Sequence, residues 1–304
     1  MMIFAATSGA QLFFDQVMNG VGTGVIYASV ALSLVLIYRT TGLLNFAQGE
    51  LALFSTFITY WFAHEQGLPI VAALLASVAV SFVGGALIER VLIRPVEGAS
   101  SPLNVVIVTL GLFLAVNALA SLIFIKPGQE ALQMPRIFPT GDLALGIRTS
   151  TVGFAAVLVI ECLLLYLLLQ KTKLGLALRA VASNPESAKL VGINTGTMLM
   201  VGWALAAPIG AVAGSLAATR QSGFDASLMQ QVLVYAFAAA ALGGFDSPLG
   251  AVVGGLIVGI ADSLTIQYVD ALDGIELVVP FVLILVVLLV RPNGLFGRTI
   301  VERV

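Results

Sequence analysis

The sequence predicts an all-α polytopic membrane protein, a bundle of about eight or nine transmembrane helices, given that one crossing takes roughly 20 mostly apolar residues. Three observations carry that expectation. Hydrophobic residues make up 59% of the 304-residue chain and charged residues only 10%, against roughly 25% charged in an ordinary soluble domain. Mean hydropathy is +1.06. Long apolar runs also recur from one end of the chain to the other. The net charge of −2 gives no reason to expect a nucleic-acid partner. The one cysteine, Cys162, leaves no internal disulfide and no multi-cysteine metal site. The one histidine, His64, leaves no paired-histidine haem ligation and argues against a histidine-based triad or zinc site.

Taken in order, the candidate spans are 11–38, 43–63, 69–93, 105–125, 151–169, 195–219, 229–242, 248–266 and 276–290. The first carries Gly20, Gly22 and Gly24 and is expected to be tilted or locally irregular. The run 229–242 is short for a crossing. With 248–266 it reads as a tight helical pair around Gly243-Gly244-Phe245-Asp246, crossing twice or re-entrant. The stretch 1–14 lacks a basic n-region and a small-residue cleavage site, so no signal peptide is expected and the first span directs insertion. Nine crossings put the N-terminus outside and the C-terminus in the cytoplasm. Arg39, Arg90, Arg94, Lys171, Lys173, Arg179, Lys189, Arg291, Arg298 and Arg303 then fall inside, ten in all, and Lys126, Arg136, Arg148 and Arg220 outside, four in all. The reverse orientation violates the positive-inside bias. The outer loop 267–274 carries Asp270 and Asp273 without Lys or Arg. The longest outer segment, 126–150, holds Pro127, Pro135 and Pro139 and reads as an ordered loop without a long helix. Nothing suggests a soluble domain, so 1–304 is read as a single transmembrane domain.

Polar residues inside apolar runs mark the candidate sites. Asn45, Gln48 and Glu50 enter the second run at its cytoplasmic end, where polar groups are expensive unless they face protein or a water-filled path. They read either as a pathway or gate lining, or as a helix start with Asn45 as N-cap. The run Glu89-Arg90…Arg94-Pro95 reads as a turn with snorkelling arginines or as a partner contact. Thr109 and Asn117 punctuate the fourth span and Asp262 the eighth; Thr109 and Asn117 can hydrogen-bond across helices. Glu161 sits near the middle of the fifth span with no basic partner at its depth. It is protonated, hydrogen-bonded inside the bundle, or exposed to a wet cavity, and serves either packing or a proton-coupled carrier. Asp246, beside the break at Pro248, resembles the broken helices of transporter sites, although packing alone explains most of the surrounding glycines.

The polar island 170–194 carries Lys171, Lys173, Arg179 and Lys189 among apolar runs. It resolves into a helix over about 174–183 and a second with Asn184 as N-cap, Pro185 at the first helical position and Glu186 in the first turn, ending near Gly192. That exceeds what a connector needs, which favours docking of a partner over a loop lying on the membrane surface. No Gly-Lys dipeptide occurs, so the chain has no phosphate loop and no ATP site of its own. No nucleophile–base pairing supports a membrane-embedded enzyme.

Five segments, in order, spell a family pattern: Asn45-Phe46-Ala47-Gln48-Gly49-Glu50; Glu89-Arg90…Arg94-Pro95…Gly98-Ala99-Ser100; Arg179…Asn184-Pro185…Ala188…Gly192-Ile193-Asn194; Leu242-Gly243-Gly244…Ser247…Gly250; and Arg291-Pro292…Gly294-Leu295-Phe296-Gly297. Over 15–298 the chain resembles the H-type permease subunit of bacterial branched-chain amino acid ABC importers. The resemblance implies the ABC-importer permease fold in the bacterial inner membrane. It implies a homologous M-type permease as partner, two cytoplasmic ATPases that bind the ATP, and an extracytoplasmic substrate-binding protein. It implies no cofactor and no enzymatic activity in this chain. Arg179, Asn184, Pro185, Glu186, Ala188 and Gly192 would form the coupling region held by an ATPase. Asn45, Gln48, Glu50, Thr109, Asn117, Glu161 and Asp246 are the candidates for the translocation path. One departure is Gln48, where the family usually carries histidine, which removes a titratable group. A path with few fixed charges suits a neutral zwitterion with an aliphatic side chain. Urea, short amides or other amino acids are the alternatives on the same scaffold. A proton-coupled carrier using Glu161 or Glu50 is the alternative of a different class.

Overall fold

The structure, a computed structural model, describes residues 9–97, 103–126, 128, 131–139, 141–143, 147–272, 274–275 and 277–297. Among these, eleven α-helices of six residues or more follow one another: α1 (Gly9–Thr41), α2 (Gln48–His64), α3 (Ile70–Ile88), α4 (Leu103–Phe124), α5 (Thr149–Lys171), α6 (Lys173–Ser183), α7 (Pro185–Leu190), α8 (Thr195–Arg220), α9 (Leu228–Gly243), α10 (Pro248–Tyr268) and α11 (Val278–Val290). Six are long and apolar enough to cross a membrane, namely α1, α3 with its extension to Val96, α4, α5, α8 and α10; α9 and α11 are shorter apolar helices. Outside the helices, the described backbone shows only the isolated bridges Leu132↔Phe224 and Asp142↔Arg148.

A helix apolar all round belongs in the middle of a bundle or against lipid, and the helices divide along that line. The most apolar window of α1 is 89% buried and that of α8 72%, whereas those of α3, α4 and α5 are 17–22% buried. Leu75, Leu87, Leu114, Leu122 and Leu164 project outward from the last three. An apolar surface of that extent is what a bilayer, and not water, accommodates.

The glycines of α1 do not break it. It is one continuous helix of 33 residues, about 50 Å long at 1.5 Å per residue. Gly20 and Gly24 instead bring its backbone against α10. A Cβ at Gly20 would meet Ile260 Cα at 2.7 Å, and one at Gly24 the Gly255 carbonyl at 2.9 Å. From the other side Gly255 lies on Ala28 and Gly259 on Gly24, so the two helices run antiparallel in direct backbone contact. Gly243 meets Gly250, and Gly254 meets Ala239, which makes α9 and α10 the tight pair expected from their sequence. Leu295 and Phe296 donate their backbone N–H groups to the carbonyls of Leu242 and Gly243 (2.8 and 3.0 Å). The segment after α11 thereby satisfies carbonyls that the end of α9 leaves without helical partners.

Hydroxyls join the remaining layers. Ser77 Oγ donates to the Ser55 carbonyl (2.6 Å), Ser81 Oγ to Ser55 Oγ (2.7 Å), and Ser215 Oγ to Thr59 Oγ1 (3.0 Å). These tie α2 to α3 and to α8. Contacts of Thr40 with Gly202, and of Thr23 with Arg220, mark the two ends of the bundle, which we call the Arg39 end and the Arg220 end.

Two boundaries differ from expectation. The second helix starts at Gln48, five residues beyond the apolar run's first residue, because Asn45 is not its N-cap. Ala47 stands at that position without a side-chain cap. Asn45 Oδ1 accepts from the Ala47 N–H at 3.0 Å, a local turn that holds 42–47 out of the helix. The third helix passes at Glu89–Ile93 into a π turn and then into a short turn, Arg94–Glu97. Pro95 has no N–H to donate to the carbonyl four residues back, and the wider turn lies directly ahead of it. Residues 98–100 of the same motif lie outside the described residues.

Candidate translocation site and coupling segment

Contacts along α2 place its first turn well inside the bundle. Gln48 Nε2 donates to the Ala206 carbonyl (3.3 Å), twelve positions past the Asn194 cap of α8, and the side chain passes close over Gly210. Gly49 lies on Met229 and Leu233, so α9 also begins at this depth. The chain reaches α9 through the non-helical segment 221–227, in which Phe224 is buried against Phe57 (ring centroids 5.3 Å apart). Both α2 and α9 are therefore entered through irregular backbone that is buried in part: Asn45, Ala47 and Phe224 are buried, whereas Gln221, Ser222, Asp225 and Ser227 are exposed. Irregular backbone is tolerated at that depth only where protein or a cavity satisfies it.

Asn117 of α4 closes this arrangement. Its Nδ2 donates to Glu50 Oε2 (2.9 Å) and to the Ala226 carbonyl (2.8 Å), joining the starts of α2 and α9. On the other side of the turn Asn45 Nδ2 donates to Gln48 Oε1 (3.2 Å). Four candidate residues, Asn45, Gln48, Glu50 and Asn117, thus meet around one helical turn. Glu50 is fully buried, and its second oxygen, Oε1, has no hydrogen-bond partner. The N-terminal dipole of α2 is favourable to a carboxylate there, and Oε1 is the oxygen of that carboxylate for which the chain supplies no donor. Thr109 is bonded to its own helix, at the Val106 carbonyl (2.9 Å). It shares with Asn45 a cavity of about 10 Å³, room for about one water.

The other two path candidates stand apart. Glu161 of α5 accepts from Ser29 Oγ of α1 at 2.6 Å, and its Oε1 is without a hydrogen-bond partner. Asp246 lies at the α9–α10 turn and lines a cavity of about 400 Å³ at the Arg39 end, together with Arg39, Cys162, Gln170 and Phe296. Of the polar layer at the opposite end, sequence reasoning singled out only Asp262. There Arg220 Nη2 donates to Asn19 Oδ1 (2.7 Å) and Thr23 Oγ1 (3.1 Å), and Tyr27 donates to Asp262 (3.1 Å) while stacked on Tyr235 at 4.6 Å. The residues that meet there lie far apart in the chain, so no local pattern announces them.

The segment 170–194 folds as two helices at the Arg39 end. Thr172 Oγ1 caps α6 through the Gly175 N–H (3.0 Å), and Asn184 Oδ1 caps α7 through the Ser187 N–H (2.9 Å), with Pro185 at the first helical position. Gly192, at φ +84°, ends α7 with the left-handed turn that favours glycine. Leu178, Val181 and Ala188 are buried; Asn184, Pro185, Glu186 and Lys189 are exposed. Arg179 is half-buried and donates to Gln170 Oε1 at 3.0 Å, so it ties α6 to the end of α5. Two residues missed in the sequence stand out: Leu190 is 89% exposed and Val191 74%, an apolar tip on the end of α7. Arg94 anchors the far side. It pairs with buried Glu89 (3.2 Å) and donates to the Gly196 carbonyl (2.6 Å) in the first turn of α8, so this arginine is committed within the chain.

Residues 16–288 match the family described as branched-chain amino acid transport system / permease component. The chain is 31% identical over 308 residues to the high-affinity branched-chain amino acid transport system permease protein LivH of Escherichia coli K12, covering 96% of this chain and 98% of that protein. It is 28% identical over 309 residues to BraD of Pseudomonas aeruginosa, a permease protein of the same description, at 96% and 98% coverage. Among solved structures, a chain of PsaBC from Streptococcus pneumoniae in complex with Fab shares the fold, with a TM-score of 0.51 and 13% identity over 93% of this chain and 96% of that one.

Proposed function

The chain belongs to the branched-chain amino acid transport permease family, and from that premise we propose that it is a translocating subunit of an ATP-driven importer of aliphatic amino acids. The observation that carries this reading is similarity to permeases of that description along 96% of the chain. We assign it nine crossings as one transmembrane domain of a bacterial plasma membrane, with α2, α9 and α11 completing the six long spans and the Arg39 end in the cytoplasm. The distribution of Lys and Arg supports that orientation.

A homologous second permease would complete the path. Two ATPases would bind the ATP and seat on the Arg39 end, and a substrate-binding protein would deliver the amino acid at the Arg220 end. Within this reading α7 is the coupling element: capped at both ends, it projects the Leu190–Val191 tip and the Glu186 and Lys189 side chains toward the ATPase. Its movement would pass through Arg179 to α5 and through the Asn194 cap to α8. At the centre, Asn45, Gln48, Glu50 and Asn117 form the polar step of a mostly apolar path, and Glu50 Oε1 is the group available to a substrate ammonium. Glu161 and Asp246 would serve the Arg39-end half.

The test is uptake of radiolabelled leucine into proteoliposomes holding the complex purified through a tag on this chain, with its binding protein added. Uptake that requires ATP and survives collapse of the proton gradient is the expected result. Uptake driven by the gradient without ATP would overturn it.

A further inference from the structure

At the Arg220 end lies a cavity of about 360 Å³, within the range of about 300–1,000 Å³ usual for small-molecule sites. Three of the four basic residues on that end, Arg136, Arg148 and Arg220, line it, against one carboxylate, Asp142. Phe138 and Phe154 supply an apolar wall, packed edge to face at 5.8 Å. Among the described residues, none of the three guanidinium groups lies within ion-pair distance of a carboxylate. Arg220 is held in place by Asn19 and Thr23, with its guanidinium carbon 6.0 Å above the Phe154 ring. The charges of Arg148 and Arg220 repel one another. Three guanidinium groups around a concave surface that holds one carboxylate leave an excess of positive charge that favours an anion, and a guanidinium binds a carboxylate through paired hydrogen bonds.

The placement of Asp142 narrows the ligand further. Asp142 and Arg148 face each other in a β-bridge, fixed by backbone bonds from Leu143 to Ile147 (2.7 Å) and from Thr149 to Gly141 (2.9 Å). Residues opposed in this way carry their side chains on the same face, with Cβ atoms about 4.5–5.5 Å apart. One acid and one base are thus offered side by side next to an aromatic wall, the arrangement an α-amino acid presents in reverse. We propose that this cavity is a binding site for the free aliphatic amino acid at the mouth of the permease. Arg148, with Arg136 and Arg220, takes the α-carboxylate, Asp142 takes the ammonium, and the side chain lies on Phe138 and Phe154. The inference rests on the reading of the chain as an amino-acid importer subunit. It adds a site on the permease itself, separate from the Glu50 cluster.

The test is equilibrium binding of tritiated leucine to the purified complex in nanodiscs without the binding protein. It compares wild type with the Arg136→Gln/Arg148→Gln and Asp142→Asn variants, all changes at exposed side chains that leave the Arg220 anchors intact. Leucinol, which lacks the carboxylate, and 4-methylpentanoate, which lacks the amine, serve as competitors. Leucine should bind at least tenfold more weakly to the double variant. Wild type should prefer leucine over leucinol at least tenfold, and Asp142→Asn should lose its preference for leucine over 4-methylpentanoate. Unchanged leucine affinity in the double variant overturns the proposal. If that unchanged affinity comes with failure to capture the binding protein, the arginines serve acidic side chains of the docking protein instead. A wild type that imports leucine but binds none without the binding protein removes this site and leaves the importer reading standing. A wild type that neither binds nor imports aliphatic amino acids removes both.

Discussion

At the scale of single residues, the junction of α2, α4 and α9 depends on Asn117. One side-chain amide serves both the Glu50 carboxylate and the Ala226 carbonyl. Asn117→Leu would leave the buried Glu50 carboxylate without its donor, at about 1–3 kcal/mol, and the half-buried Ala226 carbonyl without one at a smaller cost. We expect this variant to lower the melting temperature of the detergent-solubilised complex and to abolish uptake. Glu50→Gln is the informative counterpart. It keeps the shape and an acceptor for Asn117 but removes the charge. Its melting temperature should stay near that of wild type while leucine uptake falls at least tenfold. Wild-type uptake in Glu50→Gln would show that the carboxylate is not used by the substrate. Sequence reading placed Asn45, Gln48 and Glu50 at a helix start, because their spacing is local. It could not pair Glu50 with a residue 67 positions away. It also left open whether Asn45 caps the helix or lines a path, since an Asn that closes a local turn and an Asn that caps a helix look alike three residues upstream of the first helical position.

At the scale of elements, close approach of backbones decides which substitutions the bundle tolerates. Gly255 lies on the Ala28 backbone, so any side chain there must push α10 off α1. Backbone, unlike the end of a flexible side chain, cannot move aside cheaply. Gly84 of α3 has nothing within 4 Å of a Cβ built on it. Gly255→Leu should therefore eliminate the monodisperse peak of the purified complex in size-exclusion chromatography. Gly84→Ala should be neutral or stabilising, by no more than the helix-propensity difference of about 1 kcal/mol. Equal behaviour of the two variants would mean that the α1–α10 contact is not needed for assembly. These glycines were visible in the sequence as a dense run. Which of them carry contacts was not, because α1 and α10 stand at opposite ends of the chain. The apolar spans and both helices of 170–194 were legible, since apolar run length and cap chemistry are written locally. The irregular entry to α2 was not, because the mostly apolar residues 43–47 fill helical and non-helical backbone equally well, whereas the polar entry to α9 already lay between two predicted spans.

At the scale of the whole molecule, the orientation and the coupling assignment stand or fall together, because the tip of α7 is useful only on the side where ATP is. The bundle separates its polar ends cleanly: the arginine-lined cavity opens at the Arg220 end, and α6 and α7 stand at the Arg39 end. With Cys162, the chain's one cysteine, replaced by serine, single cysteines at 136 and 190 can be labelled by a membrane-impermeant maleimide. Position 136 should react in intact spheroplasts, and position 190 only in inverted vesicles. The reverse pattern would invert the molecule and disconnect α7 from any cytoplasmic ATPase. Given the expected orientation, Leu190→Asp with Val191→Asp removes the apolar tip without touching a buried residue or the Asn184 side-chain cap; Val191, at the C-cap, contributes only its backbone there. Exposed apolar side chains that bind nothing can be replaced at almost no cost to the fold, so this variant should insert and melt like wild type. It should nonetheless lose the ATPase on purification, and ATP-driven uptake with it. Arg179→Glu should weaken the same interaction from inside the chain, by releasing α6 from Gln170. If the ATPase stayed bound to the double aspartate variant, α7 would be a surface helix and no coupling element, whatever the rest of the bundle does.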